Sequence, residues 1–265
     1  MRTVLTIAGS DSGGGAGIQG DLKTFAAHGV YGMSAITAVT AQNTAGLMAV
    51  AVLDADFVTA QIEAVASDIA IHATKTGMLA NVAIVEAVAA AIQDLDLPLV
   101  VVDPVMIAKS GDRLLDPDAI DMIRRELVPR ALLVTPNIPE AEVLTGVAIH
   151  SIADAREAAR LIREMGATSV IIKGGHAPGH ELIDLLLEGD RFVEFRTPRI
   201  ETRHTHGTGC AFASAIAANL ALGHNVAESA ARAQRYVAGA IRHGLPIGHG
   251  HGPLNHFWRP EHVEL

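Results

Sequence analysis

The chain has 265 residues, of which 49% are apolar and 18% charged, and its 29 acidic against 20 basic side chains give a formal net charge of −9. That apolar content supports a sizeable core and excludes wholesale disorder. The acidic balance and the lack of a Lys/Arg block exclude a broad nucleic-acid or anionic-membrane surface, and aromatics at 3% supply no base-stacking platform. A single cysteine, Cys210, excludes an internal disulfide framework. The apolar content of residues 1–7 is too short for a secretory leader, and no run approaches the about 18 apolar residues of a membrane span. The expectation is a soluble, cytoplasmic protein with one doubly wound α/β domain over 1–265.

Residues 3–8 read as a buried first strand, followed by a glycine-rich turn over 9–17 and a helix over 18–28. Within that turn, Gly15-x-Gly17-x-x-Gly20 matches the dinucleotide fingerprint. The ribose-binding acid expected about 20 residues later is missing, because 32–53 holds no Asp or Glu, so that reading fails. No Gly-Lys-Ser/Thr follows the glycines, so a Walker loop is absent as well. Strands follow at 33–39 and 47–53, then a helix at 55–69 and a short strand and turn at 73–79. Asn81 caps a helix over 82–95. The apolar runs 99–102, 131–134 and 169–172 suit central parallel strands, which bind ligands beyond their C-terminal ends. Each delivers polar residues there: Asp103, then Thr135 to Glu140, then Lys173. A helix over 152–165 precedes the last of these strands. The segments 182–188 and 191–196 flank Gly189-Asp190 as an antiparallel edge hairpin, and two helices run over 208–222 and 226–243.

His206-Gly207-Thr208-Gly209-Cys210 opens the first of those two helices. Glycines permit close backbone approach, and a helix start leaves N–H groups unpaired in a positive field. The turn therefore reads as an anion hole in which that field favours a Cys210 thiolate, or else as a loop-to-helix junction with an inert cysteine.

With these motifs placed, the sequence resembles the ribokinase superfamily and, within it, the hydroxymethylpyrimidine/phosphomethylpyrimidine kinases of thiamin biosynthesis. The match is carried by 8–19, Thr40-Ala41-Gln42-Asn43-Thr44, Lys75-Thr76-Gly77-Met78-Leu79, Asp103-Pro104-Val105-Met106 with Lys109-Ser110-Gly111, 135–140, Lys173-Gly174-Gly175-His176, 206–210 and 252–257. The resemblance implies a three-layer α/β/α fold with a mostly parallel sheet and antiparallel edge strands, and usually a homodimer. It also implies phosphorylation of 4-amino-5-hydroxymethyl-2-methylpyrimidine and then of its monophosphate, with ATP and Mg²⁺. The sequence departs from the family at Gly13, where Ser is common nearby, at Gly20, where Ala is usual, and at Ala211, where Thr is common.

Phosphoryl transfer asks chiefly for positioning and charge neutralisation. The Gly207, Thr208, Gly209 and Cys210 amides are candidates for the γ-phosphoryl oxygens, with Cys210 as base for the attacking hydroxyl. Lys173 adds a cation for the ATP phosphates, with Asn137 and Thr208 beside it, or is a snorkelling lysine. Asn137 and Glu140 lie one helical turn apart and can hold Mg²⁺ with Asp103, although an N-cap with a first-turn acid explains the same letters. Gln42 offers the donor–acceptor pair that complements an aminopyrimidine edge. Asp21 is a candidate for the hydroxymethyl or amine group, or a first-turn helix acid. Gly9 and Ala16 form a rim, and Met78 and Val105 are pocket walls or core residues. His249, His251 and His256 tempt a metal reading, but a glycine-rich tail fixes no ligand geometry; a capping or dimer-contact tail is favoured. Pyridoxal kinase is the rival reading, followed by a sugar kinase, which the cysteine at 210 weakens, and a non-catalytic binder, which the intact site residues weaken.

Overall fold

The computed structural model describes residues 1–107, 111, 112, 114–176 and 180–258; Lys109 and Ser110 lie outside them. The strands are β1 (Thr3–Asp11), β2 (Tyr31–Gln42), β3 (Leu47–Val52), β4 (Ala73–Thr76), β5 (Val100–Val102), β6 (Leu133–Val134), β7 (Ser169–Ile172), β8 (Glu181–Glu188) and β9 (Arg191–Pro198). They form one sheet in the order β3-β2-β1-β4-β5-β6-β7-β8-β9. From β2 through β7 neighbours are parallel; β3 pairs antiparallel with β2, and the hairpin β8–β9 runs antiparallel to β7. The antiparallel edges agree with the expectation.

Helices cover both faces. On one lie α2 (Ala55–Ala66), α3 (Val82–Asp94), α4 (Ala119–Met122), α5 (Ile138–Thr145) and α6 (Ile152–Glu164). On the other lie α1 (Gly17–Ala27), α7 (Thr208–Ala221) and α8 (Val226–Arg242). This is the three-layer α/β/α architecture that the resemblance implied. β5, β6 and β7 are buried on both faces, as their apolar runs require. Helix α4 continues into a π-turn over Ile123–Leu127 and a 3₁₀ turn over Val128–Arg130, a stretch with no clear sequence signal. No described helix is long and apolar enough to cross a membrane.

Two details place the site. The chain goes from β1 out to β2 and then returns to the other side of β1 as β4, so the strand order reverses there and opens a crevice at the C-terminal strand ends. Helix α7 then runs beneath that crevice with every residue from 211 to 221 buried. Its small alanines let it pass close to β1, β4 and β5.

Candidate active site

A cavity of about 920 Å³ lies along the C-terminal edge of the sheet, near the upper end of the roughly 300–1,000 Å³ usual for small-molecule sites. Of the expected residues, Gly9, Ala16, Gln42, Met78, Val105, Asp103, Asn137, Glu140, Lys173, Gly207, Thr208, Gly209 and Cys210 all line it.

Helix α7 begins at Thr208 with Gly207 as its N-cap at φ +84°, a left-handed conformation suited to glycine. A Cβ on Gly207 would also collide with the carbonyl of Gly15, so the two glycine-bearing loops meet backbone to backbone. No described acceptor takes the N–H of Gly207, Gly209 or Cys210, which leaves three donors for an anion. Thr208 contributes less than expected. Its N–H and Oγ1 both donate to the Thr205 carbonyl, at 3.3 and 2.7 Å.

The thiolate expectation for Cys210 is corrected. Burial pushes its thiol up to about 11, helped by the Asp21 and Asp103 carboxylates and only partly opposed by Lys75 and the Gly17 N–H. At neutral pH the sulfur keeps its proton and is no resting base.

Lys173, at the end of β7, donates to Asp103 Oδ1 at 2.8 Å, and Thr135 Oγ1 donates to the same oxygen at 3.1 Å. Burial alone would lower the Lys173 pKa, but Asp103 and Glu140 hold it above its ordinary value. The snorkelling alternative therefore fails. Asn137 and Glu140 form a reciprocal capping box: Asn137 Oδ1 accepts from Glu140 N–H at 2.9 Å and Glu140 Oε2 from Asn137 N–H at 2.8 Å. The capping explanation is correct without removing either side chain from the cavity wall. Burial lifts the Glu140 carboxyl to about 7, with Asp103 adding to the rise and Lys173 opposing it.

Among the described residues no three His, Cys, Asp or Glu side chains could hold a metal by themselves. Two carboxylates, Asp103 and Glu140, beside the Lys173 ammonium do fit Mg²⁺, which is held by one or two carboxylates together with substrate phosphates and water.

On the acceptor side, Gln42 ends β2, and its Oε1 accepts from Thr40 Oγ1 at 3.3 Å. Met78 and Val105 belong to a small apolar cluster with Ala38, Ala80 and Leu114, separate from the two main cores, which favours pocket wall over core. Asp21 is corrected: it is fully buried and is not among the cavity-lining residues. Its carboxylate accepts from Lys75 Nζ at 2.9 Å, Thr6 Oγ1 at 2.6 Å and Ser214 Oγ at 2.6 Å, so it ties β1, β4, α1 and α7 together instead of meeting substrate. Lys75 is held above its ordinary pKa by that carboxylate despite burial.

Sequence reading missed Asp184 and Gln234, which also line the cavity. Asp184 accepts from Gly174 N–H at 2.9 Å and Gln234 Nε2 at 3.1 Å, and burial raises its pKa. A lone Asp within an apolar strand was the available signal. The tail is a strap: His206 N–H bonds Gly252 O at 3.1 Å, His251 N–H bonds Thr44 O at 2.9 Å, and Tyr236 Oη donates to His256 O at 3.1 Å.

The phosphomethylpyrimidine kinase family model matches residues 11–255. The hydroxymethylpyrimidine/phosphomethylpyrimidine kinase of Bacillus subtilis is 50% identical over 254 residues, covering 96% of this chain and 94% of that protein. The thiamine biosynthesis bifunctional protein ThiED of Geobacter sulfurreducens is 50% identical over 98% of this chain, which spans only 53% of that longer protein. Among solved structures, the ADP complex of Bacillus subtilis pyridoxal kinase aligns with a TM-score of 0.90 at 39% identity, covering 97% of each chain. With a family match over nearly its whole described length and the site assembled at the expected strand ends, this chain belongs to the phosphomethylpyrimidine kinase family.

Proposed function

We propose that the protein transfers the γ-phosphoryl group of ATP to the hydroxymethyl oxygen of 4-amino-5-hydroxymethyl-2-methylpyrimidine, and then a second phosphoryl group to the resulting monophosphate. The observation that carries this reading is the convergence, in one cavity, of a carboxamide with apolar walls and an anion turn flanked by Lys173, Asp103 and Glu140. Gln42 reads the aminopyrimidine edge, Met78 and Val105 hold the ring, and Gly9 and Ala16 let it approach the backbone. The N–H groups of Gly207, Gly209 and Cys210 receive the oxygens of the moving phosphoryl group, and Lys173 neutralises the phosphate chain. Asn137 braces Glu140 from the capping box.

Asp103 and Glu140 are the residues to hold Mg²⁺ with the ATP phosphates, and the cation supplies charge neutralisation at the transferring group. The acceptor oxygen bonds to phosphorus as the bond to ADP breaks. A loose transition state needs little base assistance, so a protonated Cys210 serves by placing the hydroxyl, whose proton leaves late to the phosphoryl oxygens. Val237, Ala238 and Ile241 of α8 give the cavity an apolar wall that suits the nucleobase.

A cytoplasmic location is part of the same proposal, since ATP, the proposed donor, is an intracellular metabolite. A homodimer belongs to the same reading. Edge strand β3 is apolar throughout and leaves Met48 68%, Val50 39% and Val52 45% exposed, a surface that a second copy would cover. A second activity on pyridoxal is favoured by the 0.90 TM-score to a pyridoxal kinase.

The test is ADP release with Mg²⁺, ATP and, in parallel, hydroxymethylpyrimidine, its monophosphate and pyridoxal. Turnover of the first two is expected. Turnover on pyridoxal alone overturns the substrate assignment and leaves the ATP site standing.

A further inference from the structure

We infer that Asp11 and His206 form a positioning clasp that sets the distance between the acceptor pocket and the anion turn, an inference that rests on the kinase reading above. The Asp11 carboxylate accepts four hydrogen bonds. Gly13 N–H reaches Oδ1 at 2.8 Å, while Gly15 N–H at 3.1 Å, Ala16 N–H at 2.8 Å and His206 Nε2 at 2.8 Å reach Oδ2. Three of the four wrap the glycine-rich loop around one side chain. The fourth crosses 195 residues of sequence to the residue just before Gly207. Both partners are buried, Asp11 at 3% and His206 at 8% exposure, so water does not compete for the bond.

Each end of the clasp carries one half of the reaction. On the Asp11 side, Ala16 lines the cavity, and Ser12 Oγ exchanges 2.8 Å hydrogen bonds with the backbone N–H and carbonyl of Gln42. On the His206 side follow Gly207, Gly209 and Cys210. The contact between the Gly15 carbonyl and Gly207 leaves no slack, so a rotation of His206 moves one half against the other. The ionised state of Asp11 agrees with this. Burial works to raise its pKa, but the His206 bond and the Ala16 and Gly13 N–H groups hold it below the usual carboxylate range.

Each substrate binds its own half, so loosening the clasp costs alignment more than affinity. A shift of about 1 Å in reacting geometry costs about 100-fold in rate. The experiment is steady-state kinetics on the parent, His206→Ala, His206→Gln and His206→Asn, with hydroxymethylpyrimidine and ATP varied in turn and melting midpoints measured alongside. A Gln amide nitrogen can reach Asp11 from where Nε2 stood, whereas the shorter Asn cannot.

The expected result is kcat lowered by about tenfold or more in His206→Ala and His206→Asn, both KM values within about threefold of the parent, and recovery in His206→Gln. Equal activity of the Gln and Asn variants, or losses that follow the melting midpoints alone, would overturn the clasp. If His206→Ala does not fold, the Gln and Asn pair decides by the same criterion. A parent with no turnover on either the pyrimidine or pyridoxal would sink the kinase reading and the clasp with it, whereas an active parent matched by all three variants would sink the clasp alone.

Discussion

Cys210 faces the cavity at the start of α7, between a helix-start field that favours the thiolate and a buried, acid-flanked setting that opposes it. The setting wins, with the thiol near 11. Alkylation by a neutral reagent should therefore be slow at neutral pH and rise about tenfold per pH unit, levelling only near 11. A plateau near pH 9 would show an ordinary thiol. On the proposed reading the sulfur places the acceptor hydroxyl, so removing it should still matter. Cys210→Ala is expected to lower kcat at least about tenfold, or about 1.4 kcal/mol, in the ADP-release assay. An unchanged kcat would make the residue structural. Asp21 teaches the converse lesson. Its sequence position beside the glycine rim suggested substrate contact, yet Lys75, 54 residues away, and Ser214, 193 residues away, take its lone pairs. That pairing is non-local and has no signature in the letters around Asp21.

At the scale of elements, the tail strap depends on a histidine kept neutral. Burial first, and then nearby Lys23 and His206, lower the His256 pKa to about 4, against a supporting hydrogen bond to Leu254. The neutral form is the one the fold prefers, so its stabilising contribution is complete above about 6.5, the unfolded value, and is lost as pH falls towards 4. Melting midpoints taken between pH 7 and 4.5 should fall less steeply for His256→Asn than for the parent. Parallel slopes would place the acid sensitivity elsewhere. The central strands were legible as apolar runs because parallel strands buried on both faces cannot alternate. The N-caps at Asn81 and Asn137 were legible because capping is local chemistry. The turns over 123–130 were not legible, since packing against α3 rather than any periodic pattern shapes them. Asp184 stood out only as a lone Asp in an apolar strand, and its partner Gln234, on a helix 50 residues away, is not readable from the letters around it.

Over the whole molecule, the sheet has two unlike edges. β9 ends one side with Arg196 bridging Glu181 and Glu194, a charged border that discourages further pairing. β3 ends the other with six apolar residues and no charge. If that edge builds the proposed homodimer, Val50→Lys should turn the dimer into a monomer in sedimentation velocity while leaving the fold intact. A dimer that survives the substitution would place the interface elsewhere.

Helix α7 carries a consequence beyond catalysis. Eleven successive residues, from Ala211 to Ala221, are shut away from solvent on every side, and the glycine-bearing turn at Gly207 is the free end of that rod. In deuterium labelling, its amides should open only with global unfolding and rank among the last to exchange, while the strap over 244–256 opens early. The end of the rod proposed to meet substrate would then be held against the slowest-moving part of the protein. Ligands could order the loops around it without moving the point to which phosphate is delivered.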